Sequence, residues 1–267
     1  MSALRFPKSK KETLSESTLL NMKKADKRII VISIIFGSVF GLIALVSTTV
    51  RLAVYAGGLN NTSLNLSDII VFSFLHRDFD RFDYLWRRDS SILFTPLIYY
   101  FIGSIVGSQP FLSINKSYHS FIYHRAQNSR RLSNVLLGNI WIPITTFSAF
   151  YFLSICIGMF FYTPDCIERM LTIPVIDLVA FFVMRLLILS FLVQFLFITF
   201  IKTEAAIALL SNVVMIILIF LITIHIQLFN LIVFDDLEYL LQSILVWMFI
   251  NAGIRLTIRF FTKYELA

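Results

Sequence analysis

The run from Ile29 to Val50 contains no charged residue. As a helix it is long enough to cross the hydrocarbon core of a bilayer. Such a run constrains a chain strongly, because inside lipid every backbone N–H and C=O must be bonded within the protein. The same pattern recurs five times. Ser91–Phe111, Val135–Tyr162 and Ile173–Ile201 are apolar over comparable lengths, the last interrupted by Asp177 and Arg185. From Ala205 no formal charge appears before Asp235, and Tyr239–Ile258 is the weakest run because Arg255 falls inside it. The expectation is an all-α polytopic membrane protein with spans at 29–50, 91–111, 135–162, 173–201, 205–225 and 239–258.

Composition agrees. Apolar residues make up 58% of the 267 and charged residues 15%, against roughly 25% charged in an average soluble domain. A mean hydropathy of +0.81 leaves more apolar surface than a soluble fold of this size can hide. Glycine and proline number 9 and 6, too few for a disordered or collagen-like chain. Cys156 and Cys166 would stand about 15 Å apart on a continuous helix, too far for a disulfide. Both read as packing residues, and no Cys/His cluster suggests a metal site.

The charges orient the chain. Basic residues collect on the cytoplasmic side of membrane proteins. With the N-terminus inside, sixteen of the 23 Lys and Arg lie in cytoplasmic segments: eight before Ile29, four in 112–134, Lys202, and three after Ile254. Six lie outside, five of them in 51–90. The bias predicts an N-in, C-in protein in the cell membrane. The net charge of +7 then reflects orientation, and no nucleic-acid partner is expected.

Three segments between or beside the spans are patterned. Residues 1–28 are basic and lack an apolar core, so they are not read as a cleaved signal. Within them Thr13-x-x-Glu16 forms a capping-box pattern; Leu14, Leu19, Leu20 and Met22 give apolar surface, and Lys23, Lys24, Lys27 and Arg28 stand toward the C-terminal side. This suits a helix lying on anionic lipid; a basic flank that only orients the first span is the plainer alternative. In the external segment 56–90, Phe72, Leu75, Phe79, Phe82 and Trp86 recur at helical spacing, with Asp78, Asp80, Arg81, Asp83 and Arg87 opposite. That is an amphipathic helix, either a lipid anchor or an outer cap. The segment 114–133 contains Lys116, Arg125, Arg130 and Arg131 and no acid, and Tyr118, Phe121 and Ile122 share one helical face. It is either a contact surface for a partner or a positive-inside loop on lipid phosphates.

Within the spans, Arg185 lies eight residues beyond Asp177, about 12 Å along a helix. A charge near mid-membrane is costly and faces protein, water or an acidic partner. Arg185, Asp177 and His225 are the candidates for a substrate path or gate; the alternative is an interhelical pairing of Arg185 that serves packing only. The residues 226–234 form either the protruding end of the fifth span or a short re-entrant piece.

The layout resembles the permease subunits of ABC exporters of the type-2 class, which move drugs, peptides, polysaccharides or lipids. The stretch Arg125-Ala-Gln-Asn-Ser-Arg-Arg-Leu-Ser-Asn-Val-Leu-Leu-Gly-Asn139 is similar to that family's basic residue, Ser-Arg pair, apolar run and Gly-Lys, with Asn139 at the Lys position. The likeness of layout covers nearly the whole chain, that of the motif only these residues. The resemblance implies an interfacial N-terminal helix, a coupling helix in 114–133 and an outer, partly re-entrant piece before the sixth span; the N-in, C-in orientation makes 259–267 a cytoplasmic tail. It implies that Tyr118, Phe121, Ile122, Arg125, Arg130 and Arg131 receive a separate ATPase subunit. The chain itself would not be an enzyme and would bind no cofactor, ATP-Mg being held by the ATPase. A second permease copy, identical or paralogous, and membrane lipid would be its other partners. The cargo would be hydrophobic or amphipathic, an antimicrobial peptide being one example. The competing reading is a self-contained secondary transporter or channel. An intramembrane enzyme is the third reading: the metalloprotease and aspartyl types lack their motifs, since neither His-Glu-x-x-His nor a pair of intramembrane aspartates occurs, while serine chemistry has no motif that excludes it and no Ser/His pair is placed for it.

Overall fold

The computed structural model describes residues 27–50, 64–65, 70, 73, 94–112, 138–161, 167–168, 175–225 and 240–264. Six long helices account for nearly all of them: α1 (Lys27–Val50), α2 (Phe94–Leu112), α3 (Trp141–Phe161), α4 (Val175–Lys202), α5 (Ala205–His225) and α6 (Leu240–Tyr264). The two-residue strands β1 (Leu64–Asn65) and β2 (Ile167–Glu168) pair in parallel. Four stretches are long and apolar enough to cross a membrane: Lys27–Val50, Trp141–Phe161, Leu178–Lys202 and Leu240–Ile258. Ala205–Leu221 is a shorter apolar helix.

The helix ends follow the sequence. Pro96 and Pro143 fall in the first turns of α2 and α3, where a missing N–H costs no helical bond. Between α4 and α5 the chain reverses over Thr203 and Glu204. The Thr203 amide still donates to the Thr199 carbonyl at 2.8 Å, and the Glu204 carbonyl accepts the first bond of α5 from Ala208 at 2.9 Å. So short a link makes α4 and α5 antiparallel neighbours. At its far end α6 continues to Tyr264, past the expected span end at Ile258, so most of the tail assigned to 259–267 is helix.

Side-chain contacts give every helix a direction. Gly37 lies against Phe147 and Gly41 against Tyr151, while Leu45 packs on Gly158; α1 and α3 are therefore parallel. Tyr100 meets Arg185, Gly103 meets Leu189, Gly107 meets Val193 and Phe111 meets Phe197, so α2 and α4 are parallel. Phe191 packs on Trp247 and Gln194 bonds Asn251, so α6 runs with α4. Tyr99 meets Tyr151 while Gly107 meets Ile144, which sets α2 against α3. The helices alternate up and down, and the start of α1 shares an end of the bundle with the close of α6. The β1–β2 pairing ties the α1–α2 and α3–α4 connections together at the opposite end.

The core is centred on α4, which packs against α2, α3, α5 and α6. Met184, Ile188, Leu189, Leu192, Val193 and Leu196 are buried on several sides of it. Many large apolar side chains, such as Phe36, Val39, Leu210, Leu245 and Phe249, are exposed on the outside of the bundle. An exterior of this kind is solvated by lipid rather than water.

Candidate functional site

Toward the end of the bundle that carries the strand pairing, four helices enclose a polar and aromatic cluster. Its centre is Arg185 of α4, which is fully buried. Its Nη1 donates to the Tyr100 hydroxyl of α2 at 3.3 Å, and its Cζ lies 4.5 Å from the centroid of the Phe181 ring, one turn earlier on α4. These are not its only interactions. A hydrogen bond from a charged donor contributes about 1.5–3 kcal/mol, and a desolvated cation–π contact about 2 kcal/mol. The pairing is thus what makes a cation tolerable at this depth.

Tyr99 and Tyr100 are consecutive, so on a helix they point in directions about 100° apart. Tyr100 turns to α4 and stacks edge-on against Phe220 of α5. Tyr99 turns to α3, where its hydroxyl and that of Ser148 share a hydrogen bond of 2.8 Å and its ring meets Tyr151 at 4.9 Å. The Tyr151 hydroxyl in turn donates to the Ser73 carbonyl at 3.4 Å. Ser73 Oγ reaches Thr48 Oγ1 of α1 at the same distance. Beside Tyr151 a shallow groove opens between α1 and α2, lined by Phe40, Ile43, Ala44, Ser47, Thr95 and Ile98.

Two further groups of buried hydrogen bonds join neutral side chains. Gln194 Nε2 donates to Asn251 Oδ1 at 2.7 Å and to Ser190 Oγ at 2.8 Å, and Asn251 Nδ2 donates to the carbonyls of Leu187 and Trp247. Asn212 Nδ2 donates to Ser104 Oγ at 2.7 Å, linking α5 to α2. Among the described residues no cluster of His, Cys, Asp or Glu could hold a metal ion.

Of the residues singled out in the sequence, Arg185 is at the heart of the cluster. Asp177 is in the first turns of α4 and His225 ends α5; their side chains lie outside the described residues. So do Tyr118, Phe121, Ile122, Arg125, Arg130 and Arg131, and likewise Phe72, Leu75, Phe79, Phe82 and Trp86. Ile70 and Ser73, which bracket Phe72, are helical and buried. Cys156 is partly buried against the core.

Sequence reasoning missed Tyr99, Tyr100, Ser148 and Tyr151. The available signal was the pair of adjacent tyrosines in an otherwise apolar span, since a buried tyrosine hydroxyl seeks a partner. No family model matches the chain, no curated protein matches it in sequence, and no solved structure matches it in fold.

Proposed function

We propose that the chain is the membrane-spanning permease subunit of an ABC exporter of the type-2 class, with six transmembrane helices and both ends in the cytoplasm. The observation that carries the reading is the alternation of the helices. It puts the long basic connection between α2 and α3 at the same end of the bundle as the start of α1 and the close of α6. The basic residues outside the helices are concentrated in the segments leading to that end, as the positive-inside rule asks of a cytoplasmic face.

In this reading a separate ATPase subunit binds ATP-Mg and closes on it. Tyr118, Phe121, Ile122, Arg125, Arg130 and Arg131 take up that motion and pass it to α2 and α3. The Arg185–Tyr100 contact and the Gly103 and Gly107 packing join α2 to α4, so α2 does not move alone. A second permease copy completes the path for a hydrophobic or amphipathic cargo, an antimicrobial peptide being one candidate. The test is purification from native membranes. An ABC ATPase should accompany the chain, and Phe121→Asp with Ile122→Asp should remove it or abolish cargo-stimulated ATP hydrolysis.

A second reading, a self-contained secondary transporter, draws on the neutral polar pairs Gln194–Asn251 and Ser104–Asn212 inside the bundle. These pairs are also what holds membrane helices together. A chain that purifies alone and moves solute down an ion gradient in vesicles, without ATP, would replace the first reading by this one.

A further inference from the structure

The end of the bundle that holds the α4–α5 turn carries a charge placed unlike the others. Arg255 lies inside the apolar stretch Leu240–Ile258, close to its end. It is partly buried, and its guanidinium carbon sits 5.5 Å from the centroid of the Trp141 ring at the start of α3. The parallel register of α4 and α6, set by Phe191 on Trp247 and Gln194 on Asn251, brings the Arg259 backbone about level with Lys202. Arg255 is one turn deeper, about 6 Å. Lys202 is exposed, and the acidic residue described beside it, Glu204, is exposed as well.

The neighbouring residues on both helices show what the faces beside this pair look onto. Ile142, next to Trp141, is 46% exposed, and Leu256, next to Arg255, is 52% exposed. Apolar side chains standing out at this level face acyl chains. A stacked tryptophan and arginine flanked by acyl contacts belong at the boundary where headgroups begin, and the arginine stem reaches that boundary from within the apolar zone.

We infer that the seam between α3, α4 and α6 binds the phosphate of an anionic phospholipid, with Arg255 held on Trp141 as the anchor and Lys202 at the rim. Basic pockets between helices on the cytoplasmic side take anionic headgroups in this manner. The site does not depend on the exporter reading.

The experiment uses the full chain purified in neutral detergent and titrated with phosphatidylglycerol or phosphatidylcholine, scored by native mass spectrometry and by thermal unfolding. Phosphatidylglycerol should be retained in preference and should raise the melting temperature. Each lost charge near a headgroup weakens binding about fivefold, so Arg255→Gln and Lys202→Gln should each do so, while Arg255→Lys keeps most of the preference. Trp141→Leu should weaken retention without altering net charge. Should Arg255→Gln retain phosphatidylglycerol as well as the parent chain, the residue only caps the end of α6 and the site does not exist. Equal stabilisation by inorganic phosphate would make it a free-anion site and overturn the lipid assignment. So would loss of a co-purifying protein on Arg255→Gln with lipid retention unchanged.

Discussion

Arg185 shows how one residue can be legible and its surroundings not. A charge in an apolar run is visible in the sequence, and its cost forces it inward. Which groups receive it depends on the register of α2 against α4, which no local pattern states. The structure supplies Tyr100 and the face of Phe181. The Nη1 to hydroxyl separation of 3.3 Å is long for a charge-assisted bond, so its contribution belongs at the low end of the range. Tyr100→Phe should therefore lower stability by about 1.5 kcal/mol, read from denaturant or thermal unfolding in detergent. Arg185→Leu removes the cation altogether. If Arg185 serves a gate, transport falls or ATP use becomes uncoupled while expression stays normal. Unchanged transport in a well-expressed Arg185→Leu chain would make the residue a packing element and leave the cluster without a functional role.

At the scale of elements, the apolar runs announced where helices lie, and the helices follow those runs closely. The runs said little about which helix touches which, because an all-round apolar segment has no face to read; α3 has almost no preferred apolar side. Contact partners were nevertheless hinted at by glycine spacing. Gly37-x-x-x-Gly41 and Gly103-x-x-x-Gly107 are the small-residue pattern that lets membrane helices approach closely, and both lie at helix contacts. They are not equivalent. A Cβ at Gly41 would stand 2.5 Å from the Tyr151 carbonyl oxygen, which is backbone and cannot step aside. One at Gly103 would meet the tips of Leu189 and Phe147 at 2.8 Å, and those can rotate. At Gly253 a Cβ would meet nothing within 4 Å. The expected order follows. Gly41→Ala should cost about 1–3 kcal/mol as overpacking by forcing α1 from α3, and Gly103→Ala should cost less. Gly253→Ala should be neutral or stabilise by up to about 1 kcal/mol through helix propensity. Unfolding midpoints of the three variants in one detergent test the ranking, and equal losses at Gly41 and Gly253 would contradict it.

For the whole molecule, two independent features bear on how the bundle sits in a membrane. One is geometric. The β1–β2 ladder joins Leu64 to Ile167, so the connection after α1 and the connection after α3 reach the same end, opposite the α4–α5 turn. The other is electrostatic. The connection at 112–134 is basic without an acid, whereas in 51–90 five basic and five acidic residues cancel. Geometry says which segments share an end; the charge asymmetry is what the proposed assignment of that end to the cytoplasm rests on. The two could have conflicted, with net positive segments at both ends of the bundle; instead 112–134 is net positive and 51–90 is neutral. The consequence can be checked on intact cells after replacing Cys156 and Cys166 by Ser. A cysteine at Ser63, one residue before β1, should react with a membrane-impermeant maleimide. A cysteine at Ser129 should react only after the cells are opened. Because the ladder binds the two connections together, a cysteine at Thr163 should behave like that at Ser63. Labelling at Ser129 but not Ser63 would invert the orientation and keep the bundle intact. Opposite behaviour of Ser63 and Thr163 would go further, since it would break the alternation of helices on which the proposed path of force from the cytoplasmic segment to α2 and α3 depends.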